Sequence, residues 1–188
     1  VRKIASHYWL RPDGTIGKFP VLVFNDQNVI EEIRERDVFK EEASLELVNG
    51  FLIPGFVDFI PDTLSGMEDD DLKRYLNRQL IDGTRLLGAP NEIVKKAKQL
   101  NFKGINIVEY PVDQSNEVVD LSAFAQIQSA TDSIAHLMRM TVENAKLLGL
   151  GNSYGVLQVG AKPGLLAISN VDYNTFAIDG KSKLKIII

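Results

Sequence analysis

Side chains able to move a proton or hold a metal are scarce in this chain. It has two histidines, His7 and His136, and no cysteine. That excludes a disulfide framework, thiolate chemistry and thiolate-ligated metals, and it starves any imidazole-based site. Carboxylates remain, and three stand where chemistry is conceivable: Asp58, Asp62 and Asp132. Asp58 and Asp62 flank the end of an apolar run, where a strand of an α/β fold would place a site. Two carboxylates there could bind a hard cation or share a proton. Pro61 interrupts the run between them, however, and Thr63-Leu64-Ser65-Gly66 reads as an ordinary solvated loop.

The other polar features have plain structural readings. Asp132, or Thr131 before it, is placed to cap the helix that follows, its side-chain oxygen accepting an N–H two or three residues on. His136 lies inside that helix beside its apolar stripe, a half-buried packing position. His7 sits next to Tyr8 and Trp9 in a strand, where such a trio packs a sheet. Glu68–Asp71 reads as an acidic helix start favoured by the dipole, without EF-hand spacing. Lys95-Lys96-Ala97-Lys98 is a solvated helix face too short to suggest nucleic acid. The glycines at 149–151 and 160–164 match no phosphate-cradling loop. Neither a cofactor nor a metal is therefore expected.

The elements that would position these residues change character along the chain. Lys3–Leu10, Phe19–Phe24 and Val29–Arg34 are short β-rich runs separated by the turn clusters Arg11-Pro12-Asp13-Gly14 and Asn25–Asn28. Asn49-Gly50 suggests a further hairpin between Leu45–Val48 and Phe51–Ile53. In the middle, Leu72, Tyr75, Leu76 and Leu80 give a helical stripe over 67–81, and Ile93, Val94, Ala97 and Leu100 give a second after Pro90. Gly104–Tyr110 reads as a strand and Leu121–Ile127 as a short helix or turn. The strongest helix runs from Thr131 or Asp132 to Leu150. Gly155–Val159, Leu165–Ser169, Phe176–Ile178 and Lys183–Ile188 return the chain to β structure.

One stretch is more specific. Asn49–Asp58 reads N-G-F-L-I-P-G-F-V-D, and this resembles the amidohydrolase superfamily, in which an N-terminal β segment leads through P-G-F-V-D into a metal-dependent (β/α)8 barrel. Thr141–Gly149, T-V-E-N-A-K-L-L-G, is similar to the last helix of that family, and Tyr154–Gly160 to its return strand. Lys162-Pro163-Gly164-Leu165-Leu166 resembles a variant of the segment that usually reads K-x-A-D-L. The resemblance covers the two ends of the chain and implies that both β segments fold together outside the barrel. Thr131-Asp132-Ser133 resembles the T-D-S that ends the family's last barrel strand, where the Asp is base and metal ligand.

The departures matter as much. In the family, P-G-F-V-D continues x-H-x-H, which supplies two metal-binding imidazoles. Here Ile60 stands at the first of those positions and Asp62 at the second, and no histidine lies between His7 and His136. About eighty residues separate Asp58 from Thr141, whereas a closed eight-fold barrel needs roughly 200 or more.

With 188 residues, 45% of them apolar, the chain can bury one ordinary core. Its 21 basic and 25 acidic residues give a net charge of -4, which argues against a polyanion-binding face. The longest apolar stretch, Leu45–Ile60, is broken by Asn49, Gly50, Pro54, Gly55 and Asp58, so no membrane span is expected. With no charged-then-apolar leader and no initial Met, the chain reads as trimmed and cytoplasmic. The expected fold is α+β: a composite β-sandwich from 1–57 plus 151–188, and a reduced α/β insert over 58–150. The expected function is that of a catalytically degenerate amidohydrolase-like binding or assembly module, associating as a homodimer. A hydrolase of non-peptide C–N bonds rebuilt around Asp58, Asp62 and Asp132, or a regulatory subunit of a catalytic homologue, are the rivals.

Overall fold

The computed structural model describes residues 1–38, 40, 42–61, 64, 66–110 and 122–188. Strands β1 (Arg2–Ala5), β2 (Tyr8–Leu10), β3 (Ile16–Lys18), β4 (Pro20–Phe24), β5 (Ile30–Glu35), β6 (Leu45–Leu47), β7 (Phe51–Pro54) and β8 (Phe56–Phe59) come first. Helix α1 (Asp69–Ile81), strand β9 (Thr84–Ala89), helix α2 (Asn91–Gln99) and strand β10 (Asn106–Glu109) follow. Helix α3 (Ala123–Gln128) leads into α4 (Ser133–Met138), a π-helical stretch over Arg139–Glu143 and α5 (Asn144–Leu147), before β11 (Leu165–Ser169) and β12 (Lys183–Ile186).

The strands form three sheets. One is β5-β4-β1-β6, a second is β12-β11-β7-β2-β3, and the third is the parallel trio β10-β9-β8. The second sheet joins both ends of the chain, since β7 runs antiparallel to β11 with Phe51 opposite Ile168 and Pro54 opposite Leu165. Its pleat sends alternate residues to opposite faces. Trp9, Leu52, Leu165 and Ala167 share a buried cluster with Ile4, Leu22, Phe24 and Ile30 of the first sheet. Phe51, Ile53, Leu166 and Ile168 on the other face pack against Ile127, Leu137 and Met140 of the helices. Burial on both faces explains why β7 is apolar throughout rather than alternating.

The parallel trio is covered on both faces too. Ile60, Leu87 and Ala89 pack under Leu72 and Leu76 of α1 and Ile93, Val94 and Ala97 of α2. Val57, Leu86 and Val108 pack under Ala145, Leu148, Leu150 and Tyr154. Gly88 makes the second contact possible, because a Cβ there would stand 2.6 Å from Cδ1 of Phe59 and 2.9 Å from Cδ2 of Leu148. The architecture is thus mixed α and β with no closed barrel. Among the described residues no helix is long and apolar enough to cross a membrane.

Several expectations need correction. Lys3–Leu10 is two strands in different sheets: buried Ser6 turns the chain and donates its hydroxyl to Gly50 O. The Asn49-Gly50 hairpin does not form. Strand β6 lies parallel to β1 and β7 parallel to β2, so both segments cross between sheets side by side, tied by Val48 N–H to Ala5 O at 2.8 Å. Strand β9 escaped the sequence reading, because a strand buried on both faces carries no period-2 signal. Gly155–Val159 is not a strand, although Gly160 N–H donates to Ile30 O at 2.8 Å just beyond it. Phe176–Ile178 is part of a turn closed by one bridge, Asp172 to Ala177. The long helix is interrupted by its π-helical stretch, a local widening of the kind that often re-aims side chains.

Candidate functional site

The C-terminal end of the parallel strands is where α/β architectures place reacting groups. Asp58 reaches that region from β8. It is half-buried, and burial pushes its carboxyl above the ordinary carboxylate range, partly offset by an N–H donated by Phe59 at 2.9 Å. Tyr75 of α1 lies nearby; burial and then the Asp58 charge push its hydroxyl up, while a Gln79 hydrogen bond works the other way. Gln79 is itself buried and accepts a hydrogen bond from the Thr84 hydroxyl at 3.0 Å. Asp58, Tyr75, Gln79 and Thr84 therefore form a small polar group under α1.

The backbone explains what Asp58 does there. Ile60 N–H donates to Gly88 O at 2.7 Å, so even-numbered residues of β8 face β9 and Val57 and Phe59 face the opposite, outer edge. On that edge the Asp58 carboxylate takes the Phe59 N–H, and the Asn144 side-chain amide donates to Val57 O at 2.8 Å. Both groups stand in for a neighbouring strand. Asn144 was not singled out from the sequence, where it passed as one letter of a helix motif. The signal available was a polar residue on the apolar side of that helix.

Ile60 is fully buried against Leu72, Leu76 and Leu87, with its carbonyl accepting the Tyr110 hydroxyl at 3.2 Å. Asp62 lies outside the described residues. Asp132 is exposed and caps α4, its Oδ1 accepting Ala135 N–H at 3.0 Å. It precedes Asn144 by about 18 Å of helix at 1.5 Å per residue, which separates it from the β8 contact. His136 is half-buried in α4, and His7 is exposed with its ring edge-on to Phe19. Among the described residues no three or more His, Asp or Glu side chains gather closely enough to hold a metal ion. A hydrolytic metal needs about three protein ligands with an open position for water. The residues present do not fit such a centre.

No family model matches the sequence, and no curated protein matches it. Solved structures do. The chain superposes on an adenosine deaminase from Xanthomonas campestris with bound zinc at a TM-score of 0.59 and 10% identity, covering 92% of this chain and 85% of that one. An Aspergillus niger ochratoxinase matches at 17% identity and a TM-score of 0.45, over 57% of this chain and 30% of that one. A putative prolidase from Bifidobacterium longum matches at 14% identity and a TM-score of 0.41, over 83% and 48%. The chain thus spans less than half the length of the ochratoxinase and prolidase chains. It shares, in shortened form and without a closed barrel, the fold of amidohydrolase superfamily members.

Proposed function

We propose that this chain is a catalytically degenerate relative of the amidohydrolases that works as a binding or assembly module. The observation that carries the reading is Ile60. It occupies the position of the first metal-binding histidine in the resembling motif, and its side chain is fully buried among aliphatic residues of α1 and β9. A side chain without a lone pair, sealed among aliphatic groups, can neither ligate a metal nor activate a nucleophile. Asp58 and Asp132 support the reading, because each carboxylate is committed to a backbone N–H. The covering of the parallel sheet on both faces supports it too, since it leaves no barrel interior between them.

We further infer that the first and second sheets make a composite β-sandwich from 1–57 plus 151–188, carrying a reduced α/β unit over 58–150. The support is the single cluster that Ile4, Leu22 and Phe24 share with Leu52, Leu165 and Ala167.

The test is elemental analysis of protein purified without chelator or affinity-column metal, alongside assays with dihydropyrimidine, hydantoin and N-acyl substrates. The expected result is neither stoichiometric transition metal nor turnover. Near-stoichiometric zinc, manganese or iron, with turnover abolished by Asp58→Ala or Asp132→Ala, overturns the reading in favour of a rebuilt C–N hydrolase.

A further inference from the structure

The parallel trio has two edges, and the chain treats them oppositely. On β8 the outward groups are plugged by Asn144 and Asp58. On β10, Tyr110 N–H donates to Ala89 O at 3.3 Å and Val108 pairs with Gly88, so even-numbered residues face β9. Ile107 and Glu109 then turn their N–H and C=O outward, and among the described residues these groups have no partner. The strand carries none of the usual edge protection: Asn-Ile-Val-Glu has no proline, no lysine and no bulge, and its centre is β-branched. Asn106 and Glu109 are exposed, while Ile107 and Val108 are half-buried.

We propose that this edge is a self-pairing surface, on which β10 of a second copy docks antiparallel about a two-fold axis. The inference rests on the assembly reading above and names its surface. Geometry selects the occupant and the register. A parallel addition would leave a fresh open edge on each new copy and grow without limit, whereas antiparallel two-fold pairing closes. The groups available for pairing belong to Ile107 and Glu109, so the symmetric registers place Ile107 opposite Ile107, Glu109 opposite Glu109, or Ile107 opposite Glu109. The second sets like charges against each other. The third makes about four interstrand hydrogen bonds, twice the number of the others, and opposes no like charges. It puts Val108 against Val108 of the second copy on the axis, as a non-hydrogen-bonded pair with Cα atoms about 4.5 Å apart. The result is a continuous six-stranded sheet across two chains.

Val108→Cys tests the register directly, because the chain has no cysteine of its own. A Cα separation of about 4.5 Å lies within disulfide range. Mild oxidation is expected to convert most of the Val108→Cys protein to a linked dimer. Asn106→Cys is expected to stay unlinked, since its two copies would stand about 13 Å apart along the strands. Glu109→Pro removes only an outward N–H, and light scattering at 100 μM is expected to fall from dimer to monomer mass with circular dichroism unchanged. A wild-type monomer, a dimer that the Val108→Cys substitution does not link, or a Glu109→Pro protein that stays dimeric overturns the inference. Those failures leave the reading of lost catalysis intact, and zinc-dependent turnover in a properly linked dimer overturns that reading alone.

Discussion

The Asn144 side-chain amide donates to the main-chain oxygen of Val57 at 2.8 Å, joining the last long helix to the outer edge of the first parallel strand. Both residues are buried. A strand edge that would otherwise need another strand is satisfied by one side chain, and this lets a helix end the sheet.

Removing that donor should be costly. Asn144→Ala leaves a buried carbonyl without a partner, a loss of about 1–3 kcal/mol. Denaturant titration should show a lower midpoint with an unchanged slope, and Asn144→Asp, which also buries a charge, should fall further.

Gly88 makes a second, independent point of contact for the same helix. Gly88→Val would drive a side chain into Phe59 and Leu148, and overpacking of this kind costs about 1–3 kcal/mol. Differential scanning calorimetry should show a fall in unfolding temperature, together with lost amide protection in α5.

Acid stability should depend on Glu42. The Arg34 guanidinium first, with Arg36 and Lys3 beside it, lowers its carboxyl from 4.5 to about 2. A lowered value in the folded state means stability that is complete above about pH 4.5 and is lost as pH falls towards 2. Unfolding temperatures measured across that range should decline less steeply in Glu42→Gln.

Asp58 should show the opposite sign. Burial raises its carboxyl, so the folded state holds that proton more tightly than the unfolded chain. Its contribution is complete below the ordinary carboxylate range and is lost as pH rises through the raised value. Asp58→Asn, which keeps an acceptor for Phe59 N–H, should remove this decline, as read from stability against pH.

The two ends of the chain should fold or fail together. Removing residues 176–188 strips β12 from β11 and takes Ile187 and Ile188 from the cluster around Leu52 and Phe24. Hydrogen exchange should then show lost protection throughout residues 3–53. Native protection there with cooperative unfolding would refute the shared core.

What could be seen in the sequence was local. Helices α1 and α2 follow from apolar stripes within a few turns, and the Asp132 cap from a side chain reaching three residues on. Ile60 in place of a metal-binding histidine is visible from the motif alone. The missing thiols and scarce imidazoles are matters of composition. Sheet membership was different. Whether Asn49-Gly50 makes a hairpin or a crossing depends on Ala5 and Ser6, more than forty residues away. Strand β9 shows no alternation because helices cover both its faces, and those helices lie elsewhere in the chain. Asn144 finds Val57 across 87 residues. Local pattern reports the energy of neighbours along the chain, whereas the covering of a sheet face and the plugging of its edge are set by contacts that exist only once distant segments have closed upon each other.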